Sequence, residues 1–217
     1  MKNGTMYATK LKKAYGKIRH GMAKPEIPEP DDPIQRMAIA FLGLSGGDEE
    51  GKRLVDLLMS GMVDWNEVRV SRPFELCRAI GDNSALMLKR CQQLVSALNA
   101  IYQLEHRPSL ERLKGLGRRE AKQYLDKLAG VDDYVSASVN LWSLGGHSIP
   151  IHDALLEVLR ANDWVEPSAT RAEVQAFLER NISAVEAKEF CLVMNAYAEQ
   201  SGSGRGKGRS AKASVDA

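Results

Sequence analysis

The stretch Leu128–Val158, LAGVDDYVSASVNLWSLGGHSIPIHDALLEV, decides the fold prediction for this chain of 217 residues. A turn at Gly130 leads into a run with hydrophobic residues at helical spacing, and the glycine pair that begins at Gly145 ends this run. Pro150 then leads into a second helical run from about Asp153. Because glycine and proline stop and start helices, the stretch predicts a turn, a helix, a loop and a helix.

Helical periodicity continues on both sides of this stretch. Hydrophobic residues recur three and four positions apart from Ile34 to Leu104, and Thr170 and Glu173 have the spacing of a capping box. No segment alternates convincingly as a strand would. The sequence therefore predicts an all-α protein of about ten helices.

Four segments differ in composition. Residues 1–24 predict a basic amphipathic helix, and residues 25–33 contain four prolines and predict an extended linker. Residues 34–200 predict the helical domain. Residues 201–217 are rich in Gly, Ser, Arg and Lys and predict a disordered basic tail.

The net charge of +2 is unevenly distributed along the chain. Residues 1–24 sum to +7 and residues 201–217 to +3, which leaves −8 for residues 25–200. Basic ends suit nucleic acid, because Lys and Arg neutralise phosphates. A solvated helix face and a solubilising tail account for the same charges, and an acidic middle is unexpected in a protein that grips DNA with its folded surface. Both interpretations stay open.

Other sequence features bear on the cellular compartment and on whether the cysteines form disulfides or bind a metal. No hydrophobic run has the roughly 20 residues that span a bilayer, and no secretion signal precedes the helices, so we expect a cytoplasmic protein without membrane contact. The three cysteines are Cys77, Cys91 and Cys191. Their odd number and wide spacing argue against a disulfide framework and against a clustered metal site.

The stretch Leu128–Val158 resembles, without a gap, the helix-hairpin-helix and the following catalytic loop of endonuclease III-like DNA glycosylases. The resemblance covers about residues 32–198 and implies two helical lobes with a groove between them. It further implies that the N- and C-terminal parts pack into one lobe. The matching residues are Leu128, Gly130 and Val131 in the hairpin, Gly145, Ile149, Pro150 and Ile151 before the catalytic loop, and Leu155 and Val158 after it.

The resemblance fails at the positions that carry the family's chemistry. Its members flip a damaged base out of the duplex, and the bifunctional ones attack the sugar with a lysine amine assisted by an aspartate. Tyr134 stands at the lysine position, and a phenol forms no Schiff base. His152 stands at the aspartate position, and a cationic imidazole would repel the positive charge that develops on the sugar. The resemblance thus implies that the standard glycosylase and lyase reactions are lost.

The residues that contact DNA in the family are also only partly present. The hairpin keeps Gly130, but its second glycine is Asp132, which Asp133 follows, and two carboxylates oppose a phosphate. A family glutamine that enters the duplex corresponds to Ser45. The four cysteines that hold an iron–sulfur cluster in many relatives have no counterpart after Cys191, so we expect no cofactor.

Two features leave a functional and a structural interpretation open. Asp153, one residue past the family aspartate, is either a relocated catalytic carboxylate or the N-cap of the following helix. An earlier turn fits the general helix-hairpin-helix pattern better than the downstream copy does, and it either holds a DNA phosphate or only connects two helices. Its candidate DNA-binding residues are Gly115, Gly117, Arg118, Arg119 and Lys122. His147 and His152 lack a third ligand nearby, so we expect no metal site.

Three functions are compatible with the sequence. The first is a DNA-binding protein on a glycosylase scaffold without catalysis. The second is an active glycosylase or abasic-site lyase with relocated groups, such as Asp153 or His152. The third is a helical module that binds a protein partner. The acidic middle with basic ends favours the first or the third function over the second.

Overall fold

The computed structural model describes the backbone of residues 4–207 and the side chains of residues 4–201. This part of the chain contains eleven α-helices and one short 3-10 helix, and no strand. The predicted all-α class is confirmed. The α-helices are α1 Gly4–His20, α2 Pro33–Leu42, α3 Asp48–Ser60, α4 Trp65–Val70, α5 Pro73–Ile80, α6 Ala85–Glu105, α7 Arg118–Lys127, α8 Asp133–Trp142, α9 Asp153–Ala161, α10 Arg171–Asn181 and α11 Ala187–Lys207, and the 3-10 helix is Glu111–Gly115.

Local capping signals fix where several helices begin. The side chain of Asp64 accepts a hydrogen bond from the Glu67 N–H at the start of α4. The Thr170 and Glu173 pair forms the expected capping box at the start of α10. In each case a side-chain oxygen satisfies a backbone N–H that has no partner within the helix.

The helices form two lobes, each with its own hydrophobic core. The first core is built from α2 to α8 and the second from α1, the end of α8 and α9 to α11. α8 belongs to both, because Tyr134 lies in the first core and Trp142 in the second. The two-lobed prediction is therefore confirmed.

The N-terminal helix α1 is an integral part of the second lobe. Tyr7, Leu11 and Tyr15 are buried there, and the ring of Tyr15 lies 5.0 Å from the ring of Phe190 in α11. Burying side chains of this size contributes about 1.5–3 kcal/mol each to folding, so α1 cannot leave its place freely. The N- and C-terminal parts thus share one lobe.

Two further segments connect or end the helices. Residues 21–32 join α1 to α2 without helical structure beyond the first turn, where the linker was predicted. The last helix runs to Lys207 and so includes the first seven residues of the predicted disordered tail, whereas residues 208–217 lie outside the described part of the chain. None of the helices between residues 4 and 207 combines the length and the apolar composition that crossing a membrane requires.

Candidate nucleic-acid interface

The predicted helix-hairpin-helix is α7, the turn 128–132 and α8. Gly130 in this turn has φ +85°, a conformation that side-chain-bearing residues rarely adopt. A Cβ at this position would lie 2.9 Å from the carbonyl oxygen of Gln93 in α6. Glycine is needed at residue 130 both for the backbone conformation and for the close approach of the turn to α6.

The N-terminus of α8 is occupied by its own cap. The Oδ1 atom of Asp132 accepts a hydrogen bond of 2.9 Å from the Val135 N–H. Asp133 begins the helix and is exposed, so a second carboxylate lies in the first turn. Both negative charges interact favourably with the helix dipole and would repel a phosphate placed there.

Tyr134, which the sequence resemblance matched to the family lysine, is buried in the core of the first lobe. Only 2% of the residue is exposed. Burial, followed by the nearby Asp48 carboxylate, raises the pKa of the phenol far above its ordinary value. Tyr134 therefore stays neutral and offers neither an amine nor a phenolate to a substrate.

His152, which the sequence resemblance matched to the family aspartate, caps helix α9. Its Nδ1 atom accepts a hydrogen bond from the Leu155 N–H at 3.4 Å. Because Nδ1 accepts, Nε2 carries the proton and donates to Oδ1 of Asn195 at 3.2 Å. The residue is 1% exposed, and burial lowers the pKa of the imidazole. A neutral, buried ring with both nitrogens bonded is poorly placed for proton transfer to a ligand.

The loop between α2 and α3 covers the N-terminus of α9. The Asp153 N–H donates to the Leu44 carbonyl at 2.9 Å, and the Ala154 N–H donates to the Ser45 carbonyl at 3.3 Å. A Cβ on Gly47 would lie 3.1 Å from Nε2 of His152, so the imidazole packs directly on this loop. The first N–H groups of α9 are thus used within the protein.

The same loop is anchored from the other side by a residue that the sequence did not single out. Arg90 in α6 is 3% exposed and donates from Nη1 to the Leu42 carbonyl at 2.8 Å. Its Nη2 atom donates to the hydroxyl of Ser45. Ser45, which the sequence resemblance matched to the inserted family glutamine, is therefore bonded inward. In the sequence Arg90 is a cation within a helical run, and no pattern marks it as a partner of this loop.

Asp153 does not cap α9, contrary to one of the two interpretations of the sequence. α9 begins at Asp153, and the cap is His152. The Asp153 carboxylate accepts a hydrogen bond from Arg171 at the start of α10, and the aspartate side chain is 45% exposed. His147 contacts the carbonyl of Ile182 at 3.0 Å, so the structure assigns the two histidines to different partners.

A buried ion-pair cluster centred on Arg36 lies where the lobes meet. The Nε and Nη2 atoms of Arg36 donate to Asp31 at 3.0 and 2.6 Å, and Nη1 donates to Asp48 at 2.6 Å. The guanidinium lies 5.4 Å from the ring centre of Trp142. Burial acts to lower the pKa of Arg36, but the two carboxylates outweigh it and the pKa is raised. Arg36 is permanently charged and fully engaged within the protein.

A pocket of about 260 Å³ adjoins the Arg36 cluster. The first lobe, the second lobe and the connecting segment 21–32 all contribute to its wall, whereas Tyr134, His152 and Asp153 do not. It contains more carboxylates than cations. Its lining residues are Pro25, Pro28, Arg36, Asp48, Glu49, Lys52, Trp142, Leu192, Asn195, Ala196 and Glu199.

The turn before α7, which contains Gly115 and Gly117 and is called the upstream turn, is basic and has no side-chain cap. Gly117 is the N-cap of α7, and no side chain bonds to the first N–H groups of this helix. A Cβ on Gly115 or Gly117 would meet no atom within 4 Å. Arg118 and Arg119 are exposed and form no ion pair with any side chain of residues 4–201, whereas Lys122 is paired with Asp126 at 2.9 Å. The turn thus presents open donors and two unpaired cations.

The charge of the middle of the chain is also divided between regions. Residues 65–127, which include α4 to α7, contain twelve Lys and Arg and seven Asp and Glu, a net charge of +5. Because residues 25–200 sum to −8, the remaining two stretches carry −13. The negative net charge of residues 25–200 argued against DNA contact by the folded surface. The region around the upstream turn nevertheless has a positive net charge.

The cysteines do not fit an iron–sulfur cluster. Cys77 and Cys91 lie in the core of the first lobe and Cys191 lies in the core of the second, and all three are buried. A cluster of the usual kind needs four thiolates at one place, and the whole chain has only three cysteines. Among residues 4–201 no group of three or more His, Cys, Asp and Glu side chains is arranged to hold a metal ion.

No protein-family model matches the sequence, and no curated protein resembles it in sequence. Solved structures do resemble it in three dimensions. A trapped endonuclease III–DNA covalent intermediate is 14% identical with a TM-score of 0.66, and the match covers 88% of this chain and 85% of that one. The Clostridium acetobutylicum 8-oxoguanine glycosylase/lyase bound to DNA is 13% identical with a TM-score of 0.69, covering 93% and 71%.

A thermostable thymine-DNA glycosylase gives the same result. It is 13% identical with a TM-score of 0.60, and the match covers 89% of this chain and 87% of that chain. The three matches cover 88%, 93% and 89% of this chain and 85%, 71% and 87% of the other chains. This chain therefore has the fold of the helix-hairpin-helix DNA glycosylases.

Proposed function

We propose that this protein binds duplex DNA without cleaving it, and without taking a base into the position that the family lysine and aspartate define. One observation carries the proposal: Tyr134 and His152 are both buried and neutral, and both are engaged in the packing of the lobes. Glycosidic bond cleavage needs a nucleophile or a carboxylate that reaches the sugar. Neither residue offers one.

DNA contact is proposed at the upstream turn. The uncapped N–H groups at the start of α7 and the exposed Arg118 and Arg119 are donors of the kind that bind a phosphate. The hairpin before α8 is a poorer candidate, because Asp132 and Asp133 fill the corresponding place with negative charge. Such contacts read the backbone and not the bases, so the proposed binding has little sequence preference.

An active enzyme with relocated groups is less well supported. The most exposed candidate, Asp153, has its carboxylate bonded to Arg171 and its backbone N–H bonded to Leu44. No lysine lines the pocket between the lobes except Lys52, which is paired with Glu49 at 2.8 Å. A carboxylate that is bonded to a guanidinium within the protein is not free to accept a proton from a substrate.

The decisive experiment measures cleavage and binding on the same duplexes. Duplexes with uracil, 8-oxoguanine or an abasic site are incubated with the protein, with and without borohydride, beside an active endonuclease III as a positive control. We expect no strand cleavage and no trapped adduct, together with DNA binding that weakens steeply with salt. A trapped adduct would establish an active lyase and overturn the proposal. Absence of binding at low salt would instead favour the protein-interaction module.

A conservative pair of variants shows whether the family positions take part in binding. Tyr134→Phe removes only the hydroxyl, and His152→Asn removes the imidazole while keeping a polar side chain. We expect both variants to bind DNA as the wild type does, once a thermal melt confirms that they fold. A loss of affinity for abasic-site DNA alone would show that these positions contact the lesion.

A further inference from the structure

A strongly basic surface lies on α1, far along the chain from the upstream turn. Lys12, Lys13 and Lys17 are exposed, and we call them the α1 lysine face. The helix contains no acidic residue from Gly4 to His20. At about 100° per residue, Lys13 and Lys17 lie opposite the side of the helix that buries Leu11 in the second lobe, and Lys12 lies on the flank of that side. The sequence predicted a basic helix here but not which lysines the fold leaves exposed.

The other two cations of α1 with a long side chain have partners in the second lobe. Lys10 is paired with Asp163, and Arg19 donates to Glu189 at 2.8 Å. These pairs hold α1 in place at both ends of the lysine face. Among the described side chains, the three lysines of the face form no ion pair. Three positive charges are thus held at fixed places on a rigid helix with no internal counterion.

We propose that the α1 lysine face is a second DNA-backbone contact, on the opposite lobe from the upstream turn. The proposal rests on the proposed function, since it assumes that the protein binds duplex DNA. Along the helix axis Lys12 and Lys17 are about 7.5 Å apart, from a rise of about 1.5 Å per residue. One DNA strand carries a phosphate about every 3.4 Å of duplex axis, so this face spans about three phosphates.

The packing of α1 favours DNA over a membrane as the partner. A basic amphipathic helix in isolation is also typical of a membrane-surface anchor. Such a helix must insert its apolar side into the lipid, but the apolar side of α1 is already used. Tyr7, Leu11 and Tyr15 are buried against the second lobe. A partner of this face must therefore bind through charge alone, which a row of phosphates does.

The test exchanges the three lysines for glutamine or for arginine. We expect Lys12→Gln/Lys13→Gln/Lys17→Gln to lower the affinity for a labelled 24-base-pair duplex by more than roughly tenfold at low salt. The slope of log K against log salt should fall by about 2.7, which is about 0.9 for each of three contacts. Lys12→Arg/Lys13→Arg/Lys17→Arg keeps the charges and should bind as the wild type does. A thermal melt checks that each variant folds.

The outcomes separate this inference from the proposed function. If the glutamine variant binds DNA normally while Arg118→Ala/Arg119→Ala binds weakly, the α1 contact is overturned and the proposed function stands. If the wild type does not bind DNA at low salt, the proposed function itself fails. Binding of the wild type to phosphatidylserine vesicles but not to DNA, lost in the glutamine variant, would assign the face to a membrane and overturn the inference.

Discussion

The N-termini of α7 and α8 differ in how their backbone donors are used, although each helix follows a turn that contains glycine. At α8 the Asp132 side chain bonds to the first turn, and Gly130 packs the turn against α6. At α7 no side chain caps the helix, and Gly117 has open space around it. One turn is closed by the protein itself and the other is left open to solvent.

The N-terminus of α9 extends the comparison to the catalytic loop. There the backbone N–H groups have two kinds of acceptor. One is the imidazole of His152, and the others are the carbonyls of Leu44 and Ser45. A backbone donor that is already bonded within the protein is not available to a phosphate. The first N–H groups of α8 and α9 are thus bonded within the protein, whereas no side chain bonds to those of α7.

The largest expected effect comes from exchanging charge at the two turns. Arg118→Ala/Arg119→Ala should weaken DNA binding by roughly tenfold to sixtyfold near 0.1 M salt and lower the salt slope by about 1.8, because two phosphate contacts are lost. Asp132→Asn/Asp133→Asn changes the net charge by the same amount in the opposite direction. It should alter affinity by less than about threefold, because asparagine still caps α8. The measurement is fluorescence anisotropy over a salt series.

Equal and opposite effects of the two variants would contradict the comparison. They would mean that DNA responds only to net charge, and that the open turn has no special role. A control is Arg53→Gln, which removes an exposed cation of α3 that is far from both turns along the chain and does not line the pocket between the lobes. Its effect measures the contribution of net charge alone.

The second prediction concerns the free energy of unfolding. Gly130→Ala should destabilise the protein by about 2 kcal/mol, because a Cβ is strained at φ +85° and meets the Gln93 carbonyl at 2.9 Å. Gly115→Ala, in the open turn, should change stability by less than about 0.5 kcal/mol, since nothing lies within 4 Å of the new methyl group. Urea denaturation measures both. Similar losses in the two variants would show that the turns are packed alike.

A smaller effect on the free energy of unfolding is expected when the cap of α8 is removed or a cap is introduced at α7. Asp132→Ala should cost about 1 kcal/mol, because the Val135 N–H loses its acceptor. Gly117→Asp should instead stabilise the protein by a few tenths of a kcal/mol and weaken DNA binding, because the new carboxylate would cap α7 and occupy the proposed phosphate site. Chemical denaturation and anisotropy together check both. Unchanged DNA binding in Gly117→Asp would remove the start of α7 from the interface.

The sequence was sufficient for features that depend on neighbours in the chain. Periodicity predicted the helices, and the caps at Asp64 and Thr170 could be predicted from spacing alone. The resemblance supplied the two lobes. It also supplied the identity of the positions at Tyr134 and His152, whose roles in this chain stay predictions.

Contacts between distant segments could not be predicted in this way. Arg90 bonds to the α2–α3 loop across 48 residues, and Arg36 joins carboxylates on both sides of its own helix. The cap of α9 was assigned to Asp153 as one interpretation, because aspartate is the stronger capping residue. His152 takes this role in the structure, since Arg171 and Leu44 engage Asp153 instead. These contacts and this cap depend on residues distant in the chain, which local sequence patterns do not indicate.

The smallest expected effect concerns the cap of α9 and its response to pH. Burial lowers the pKa of His152 from its ordinary value of 6.5, so the unfolded chain takes up this proton at a higher pH than the folded protein does. The contribution of the neutral ring to the free energy of unfolding is fully present above about pH 6.5. It is lost as the pH falls through the lower pKa that His152 has in the folded protein. Protonation also removes the acceptor that binds the Leu155 N–H. The Tm of the wild type should therefore fall more between pH 7 and pH 5 than that of His152→Asn, and parallel curves would show that the imidazole is not a buried, neutral cap.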